Sequence, residues 1–203
     1  MRSGIIGGSF DPIHVGHLIV ADDVLRKLAL DRVVFVPAFR PPHKHSPLAD
    51  YRHRLEMVRR ATASHPLFDV SDIETGRPGP SFTIDTLTAL RAADPDDRLY
   101  FILGQDQYAA MEHWHRPEEL AHLARLVVMS RPGTARPQLF PGHSTARVRF
   151  LDVIPVAVSA AAVRVRLAKG ESVGYILPTP VQDYVRQHRL YRNRLDKGEP
   201  CLA

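Results

Sequence analysis

The sequence predicts an α/β fold built on a mostly parallel sheet, and two observations carry that prediction. Short apolar runs of strand length alternate along the chain with segments of helical periodicity, the pattern of successive βαβ units. A glycine turn, Gly7-Gly8, stands where the first apolar run ends and the first helical pattern begins. An open α/β sheet leaves room for a ligand there, beyond the carboxyl ends of its strands.

The elements follow in order. Residues 3–6 form a first strand, and residues 15–28 a helix with Leu18, Val24, Leu25 and Leu28 roughly on one face. The β-branched run 32–36 is a strand stopped by Pro37. Residues 49–63 are helical, with Leu55 and Val58 on one side and arginines around the rest, and 67–70 is a weaker strand. A helix over 83–93 leads to a strand over 99–103 that ends at Gly104. A short helix over 118–124, strands over 126–129 and 148–153, and helices over 160–168 and 181–187 complete the series. Residues 131–145, rich in Pro, Gly and polar side chains, read as a surface excursion.

Composition narrows the function classes. A chain of 203 residues, 44% hydrophobic and 24% charged, has the balance of one globular domain rather than a disordered segment. Lys and Arg number 27 against 22 Asp and Glu, an excess that fits an anionic partner without choosing among nucleic acid, membrane surface and phosphate ligand. The one cysteine, Cys201, excludes an intrachain disulfide and a CxxC metal pair, which fits a reducing compartment. No run approaches the roughly 20 apolar residues of a membrane span, and a cytoplasmic protein is expected. The basic stretch 186–197 reads as a solvated helix end; no nucleic-acid motif accompanies it.

The chemistry concentrates at residues 7–18, GGSFDPIHVGHL. Two glycines permit close backbone approach, and a helix beginning near Val15 presents amides and a positive dipole end to phosphate. His14 and His17 are three apart and share a helical face, where both could donate to phosphate oxygens as charge builds. Plain structure and a metal pair are the alternatives, though no third ligand accompanies the pair. The loop is neither a Walker A sequence nor GxGxxG.

The stretch His14-Val15-Gly16-His17 resembles the HxGH motif of the nucleotidyltransferase superfamily, and the longer string is similar to the N-terminus of bacterial nicotinate-nucleotide adenylyltransferases. That resemblance implies a Rossmann-like, doubly wound sheet in one domain over 1–191, with a small C-terminal helical part and a basic tail over 192–203. It also implies that His14 and His17 hold the ATP phosphates, with Gly7, Gly8, Ser9, Phe10 and Gly16 forming the rest of that cradle. Pro41-Pro42-His43-Lys44 is similar to the family's PPHK element, whose lysine contacts phosphate, so Lys44 joins the site. The pattern Tyr51, Arg54, Met57 resembles a supporting YxxRxxM motif.

Ser81-Phe82-Thr83-Ile84-Asp85-Thr86-Leu87 resembles SYTIDTL. Its hydroxyls suit a helix N-cap and Asp85 suits a first turn, while the resemblance implies that the backbone at Thr83 meets the nicotinate carboxylate. Gly104, Asp106 and Trp114 match GxDxxxxLxxW: Asp106 is suited to ribose hydroxyls, and Trp114 to stacking on a pyridine ring, with His115 beside it. Val158-Ser159-Ala160-Ala161-Ala162-Val163-Arg164 is similar to ISSTxIR, with alanines at 160 and 161 where relatives carry hydroxyls. Ser159 and Arg164 are then left for the triphosphate.

The implied reaction joins ATP and nicotinate mononucleotide, with Mg²⁺ entering on ATP and no protein metal site. Rival readings are acceptance of the amide nucleotide or phosphopantetheine, a non-catalytic regulatory protein that has lost the 160–161 hydroxyls, and RNA binding through the tail. A class I tRNA synthetase would need a KMSKS-like loop and a tRNA-binding domain for which 203 residues leave no room. Oligomeric state is not legible.

Overall fold

A computed structural model describes residues 1–42, 48–130 and 133–192. Six strands, β1 (Arg2–Gly8), β2 (Arg32–Pro37), β3 (Phe68–Val70), β4 (Arg98–Gly104), β5 (Arg125–Ser130) and β6 (Val148–Asp152), form one sheet in the order β3-β2-β1-β4-β5-β6. Every pairing is parallel, where the sequence pointed only to a mostly parallel sheet. The chain winds outward from β1 to β3 and then returns to lay β4 beside β1. The order therefore reverses between β1 and β4, and a crevice opens beyond their carboxyl ends.

Both faces of the sheet are covered. Ile6, Phe35, Ile102 and Val127 pack in one cluster with Val24 of α1 (Val15–Lys27), Met57 of α2 (Tyr51–Thr62) and Val181. Ile5, Val34, Phe101 and Val128 pack in the other with Leu87 of α3 (Thr83–Ala93), Tyr108 of α4 (Gln105–Ala109) and Leu120 of α5 (Pro117–Leu123). Adjacent strand residues feed opposite layers, which is why these strands read as continuous apolar runs rather than alternating ones. Gly4 allows the tight spacing: a Cβ there would lie 2.9 Å from both Ile102 and Leu30 side chains. The chain closes with α6 (Ala160–Ala168) and α7 (Thr179–Gln187).

The predicted elements are present, with ends that agree or move by up to two residues. The sequence reading missed α4 and the 3₁₀ turn Met111–His113 that follows it. Neither is long enough to show a periodicity. The excursion is also tied down more firmly than its composition implied: the Phe140 amide donates to the Tyr108 hydroxyl (3.0 Å), that hydroxyl lies 3.2 Å from His143 Nδ1, and His143 Nε2 is 3.0 Å from the Pro117 carbonyl. Lys44 and nearly all of the basic tail lie outside the described residues.

Candidate active site

The glycine loop leaves β1 and turns sharply. Phe10 adopts φ 46°, a left-handed conformation that costs a non-glycine residue about 1 kcal/mol or more. Its ring is 2% exposed and lies against Phe35 and His17, with centroids 5.9 and 5.1 Å away. Burying an aromatic ring offsets that strain. Phe10 thus shapes the loop and braces His17 from within the core. Gly8 passes over the same ring, 3.4 Å from where a Cβ would stand.

His14 and His17 stack with centroids 3.8 Å apart and planes 27° from parallel. The His14 main-chain N–H donates to His17 Nδ1 at 3.2 Å. In neutral His17 the proton therefore sits on Nε2. His14 is 6% exposed, and burial lowers its pKa to about 4, so it is a neutral imidazole at physiological pH. Its Nδ1 is buried without a hydrogen-bond partner, an arrangement that costs free energy until some group fills it. Gly16 makes the packing possible, since a Cβ there would sit 3.0 Å from that nitrogen. The helix start is less open than the sequence implied: the Val15 amide donates to the Ile176 carbonyl and the His17 amide to the His14 carbonyl, both at 3.0 Å.

Beneath the loop lies a buried polar hub. Asp11, 4% exposed, accepts the Leu48 and Ala49 amides (2.9 and 3.2 Å) and the Tyr191 hydroxyl (2.7 Å). Burial, reinforced by Asp11, pushes the Tyr191 hydroxyl far up, so it stays protonated and donates. Arg164 donates to the Asp11 carbonyl at 2.7 Å and stands 3.9 Å from its carboxylate. Arg54, 1% exposed, donates to the carbonyls of Ala49, Ser9 and Phe39 at 3.2, 2.7 and 3.5 Å. One guanidinium thereby ties the glycine loop to the loop after β2.

A cleft of about 440 Å³ opens on the other side of the glycine loop, over the β1–β4 switch point. Gly7, Gly8 and Ser9 form its floor, and Thr83, Asp106, Trp114 and His115 stand among its walls. Trp114 is half-buried, edge-on to Phe101 with centroids 6.2 Å apart, and His115 stacks on Phe82 at 4.4 Å. Glu74 closes the cleft. It accepts the Phe39 amide (3.0 Å) and the Thr86 hydroxyl (2.6 Å), and so fixes the loop after β2 against α3.

The predicted site residues thus fall into two groups joined by the loop. Gly7, Gly8, Ser9, Thr83, Asp106, Trp114 and His115 line the cleft; Phe10, His14, Gly16, His17 and Arg164 gather around the start of α1. Gly104 and Ser159 stand apart: the Gly104 amide donates to Gln107 Oε1 at 3.1 Å, and Ser159 caps α6 by accepting the Ala162 amide at 3.2 Å. Ser81 does not cap α3; its hydroxyl accepts the Arg40 amide at 3.0 Å, and Phe82 holds the cap position.

Residues 5–166 match the cytidylyltransferase-like family model. A Thermus thermophilus protein named "probable nicotinate-nucleotide adenylyltransferase" is 45% identical over 193 residues, 95% of this chain and 100% of the relative. A protein of the same name from Thermomicrobium roseum is 41% identical, across 94% of this chain and 92% of the relative. The chain belongs to the nicotinate-nucleotide adenylyltransferases of the cytidylyltransferase-like family. Among solved structures, Plasmodium falciparum nicotinic acid mononucleotide adenylyltransferase complexed with NaAD superposes with a TM-score of 0.77 at 20% identity, over 94% of this chain and 97% of that one. At that identity the likeness speaks for the Rossmann-like fold.

Within this family member, sequence reasoning passed over Asp11 and Glu74. Asp11 had a signal, an acid inside the glycine-loop motif; Glu74 had none beyond its charge in a short loop. Among the described residues, no three His, Cys, Asp or Glu side chains gather where they could hold a metal ion, and no helix is long and apolar enough to cross a membrane.

Proposed function

We propose that this adenylyltransferase condenses ATP with nicotinate mononucleotide to give nicotinate adenine dinucleotide and pyrophosphate, a step in NAD biosynthesis. The observation that carries the reading is the stacked His14–His17 pair, one nitrogen buried and unpartnered, beside an aromatic-walled cleft at the sheet's switch point. A phosphate oxygen of the mononucleotide attacks the α-phosphorus of ATP; the new P–O bond forms as the bond to the bridging oxygen of pyrophosphate breaks. The nucleophile is already anionic at neutral pH, so no general base is required. The protein supplies alignment and charge neutralisation.

His17 donates from Nε2 to the phosphates. His14 meets them as a neutral donor, and the approach of the triphosphate raises its pKa and charges it. Lys44 and Arg164 complete the cationic set, Arg164 with the part of its guanidinium not engaged by Asp11. Backbone groups of the glycine loop approach the phosphates closely, and the Ser159-capped start of α6 serves where Ala160 and Ala161 lack hydroxyls. Gly104 and Asp106 face the nucleoside. Thr83, Trp114 and His115 face the pyridine. ATP arrives as its Mg²⁺ complex, in which the ion offsets phosphate charge and keeps waters of its own, so no carboxylate cage is needed. The working compartment is the cytoplasm, and the partners are small nucleotides rather than nucleic acid or membrane.

The test is pyrophosphate release from ATP with nicotinate mononucleotide, its amide and phosphopantetheine compared side by side. Turnover is expected with the acid, weaker turnover with the amide and none with phosphopantetheine. Equal turnover with acid and amide would overturn the acid assignment, and none with any acceptor would overturn the activity.

A further inference from the structure

The opposite end of the sheet carries a second cationic site. At the N-terminal ends of β1, β5 and β6, a cleft of about 220 Å³ is ringed by Arg2, Arg125, Arg147 and Arg149. The register explains the convergence. Tyr100 pairs with Arg125, and Val127 with Arg149; side-by-side partners in a parallel sheet share a face. Tyr100 (7% exposed) and Val127 (1%) therefore form an apolar floor beneath guanidiniums from neighbouring strands. The Arg2 and Arg125 guanidiniums both lie over the Tyr100 ring, 5.6 and 6.0 Å from its centre.

Among the described residues, no carboxylate lines this cleft, and none of its four arginines has an ion pair. Asp31 accepts the main-chain N–H of Arg2, not its guanidinium. Several surface arginines elsewhere are matched, Arg26 with Asp22, Arg60 with Glu56 and Arg116 with Glu119. Like charges gathered on one ring repel one another, and cation–π attraction of about 1 kcal/mol each offsets only part of that. An anion between them removes the repulsion and accepts forked hydrogen bonds that guanidinium is shaped to give.

We propose that this cleft binds an oligophosphate, a chain of at least two linked phosphates, at a site separate from the catalytic cleft. Four guanidiniums around one cleft carry more positive charge than the charge of about −1.5 to −2 on a single phosphate offsets. The buried Tyr100 ring offers no face for a base to stack on, which disfavours single-stranded nucleic acid. The phosphates come either free or on a nucleotide whose nucleoside stays outside.

The test is calorimetric titration of the full chain with inorganic tripolyphosphate, without metal and at low salt. Wild type is expected to bind two equivalents per chain. R125S/R149S is expected to keep the catalytic-cleft equivalent, with the other weakened on the order of a hundredfold, since removing one charge-assisted hydrogen bond commonly costs about tenfold. Its turnover without added tripolyphosphate should match wild type, which shows that it folds. R125K/R149K, with charge kept and the fork removed, should fall between. Heat that survives a saturating non-hydrolysable ATP analogue assigns the cleft to free oligophosphate; heat displaced by the analogue yet absent from R125S/R149S assigns it to phosphates on a nucleotide. One equivalent in wild type that R125S/R149S retains, or identical isotherms for the two proteins, overturns the proposal; one equivalent that R125S/R149S loses keeps the arginine cleft and counts against the catalytic cleft.

Discussion

The two sides of the glycine loop are built differently. On the α1 side, the imidazole pair rests on a buried, internally bonded hub in which Asp11 joins Leu48, Ala49, Tyr191 and Arg164, while Arg54 ties three carbonyls. On the cleft side, Trp114 and His115 are half-buried or exposed and lean on aromatic neighbours, Phe101 and Phe82 among them. Charge stabilisation needs donors fixed before the substrate arrives, because reorienting dipoles during reaction costs the very energy they should supply. Recognition of a flat ring tolerates more play, since stacking depends weakly on small lateral shifts. On the proposed assignment of roles, stiffness is concentrated where charge moves and relaxed where shape is read.

The sharpest way to break that comparison is to remove one fixed donor. His17→Ala should lower kcat on the order of 10²-fold or more, with thermal unfolding little changed because the side chain is only half-buried. Steady-state kinetics beside a melting curve checks both parts, and a kcat near wild type would remove His17 from the phosphate end.

The hub itself comes next. Asp11→Asn turns an acceptor-only group toward two amide donors and a hydroxyl donor, leaving one of them facing an NH₂ and Arg164 without its counter-charge. Breaking a buried charged network from one side costs about 3 kcal/mol or more, a Tm fall of roughly 10 °C for a chain of this length. Tyr191→Phe removes a single hydrogen bond and should cost about 1 kcal/mol. Equal losses in the two variants would mean that the carboxylate is not the centre of the hub.

Protonation probes the same region more gently. His14 has a folded pKa of about 4, against the ordinary 6.5 of an exposed imidazole. Between those values the unfolded chain holds a proton that the native chain refuses, so stability is complete above pH 6.5 and falls as pH drops toward 4. The loss is at most about 3 kcal/mol. Urea titrations across that window should show a steeper acid-side loss for wild type than for His14→Asn, and saturating ATP should flatten the wild-type slope. Identical slopes would mean that His14 is not held neutral by burial.

The same contrast explains what was legible in the sequence. The cluster at the start of α1 was readable because its parts are contiguous: the glycines, His14, Gly16 and His17 fit within eleven residues, and a sharp turn into a helix constrains each residue type. The strands were readable because both faces are buried. Arg54 could be placed near the site but not assigned three carbonyls, since hydrogen-bond partners separated by up to 45 residues leave no local pattern. Glu74 and the Ser81–Arg40 contact were illegible for the same reason. The cleft's aromatic wall comes from two distant segments, 82–83 and 114–115, and only resemblance to a family joined them.

That wall is where the comparison is most finely sharpened. Trp114 could be core or contact, and its position makes it partly both: it packs against Phe101 at its edge and lines the cleft with what remains. Trp114→Ala should raise KM for nicotinate mononucleotide about tenfold, the value of one stacking interaction at roughly 1.4 kcal/mol, while KM for ATP moves much less. Trp114→Phe should recover most of that loss, because a smaller ring still stacks. If instead both KM values rose together and Phe restored neither, Trp114 would be holding Phe101 and β4 in place, and the cleft side of the loop would be as stiffly built as the phosphate side.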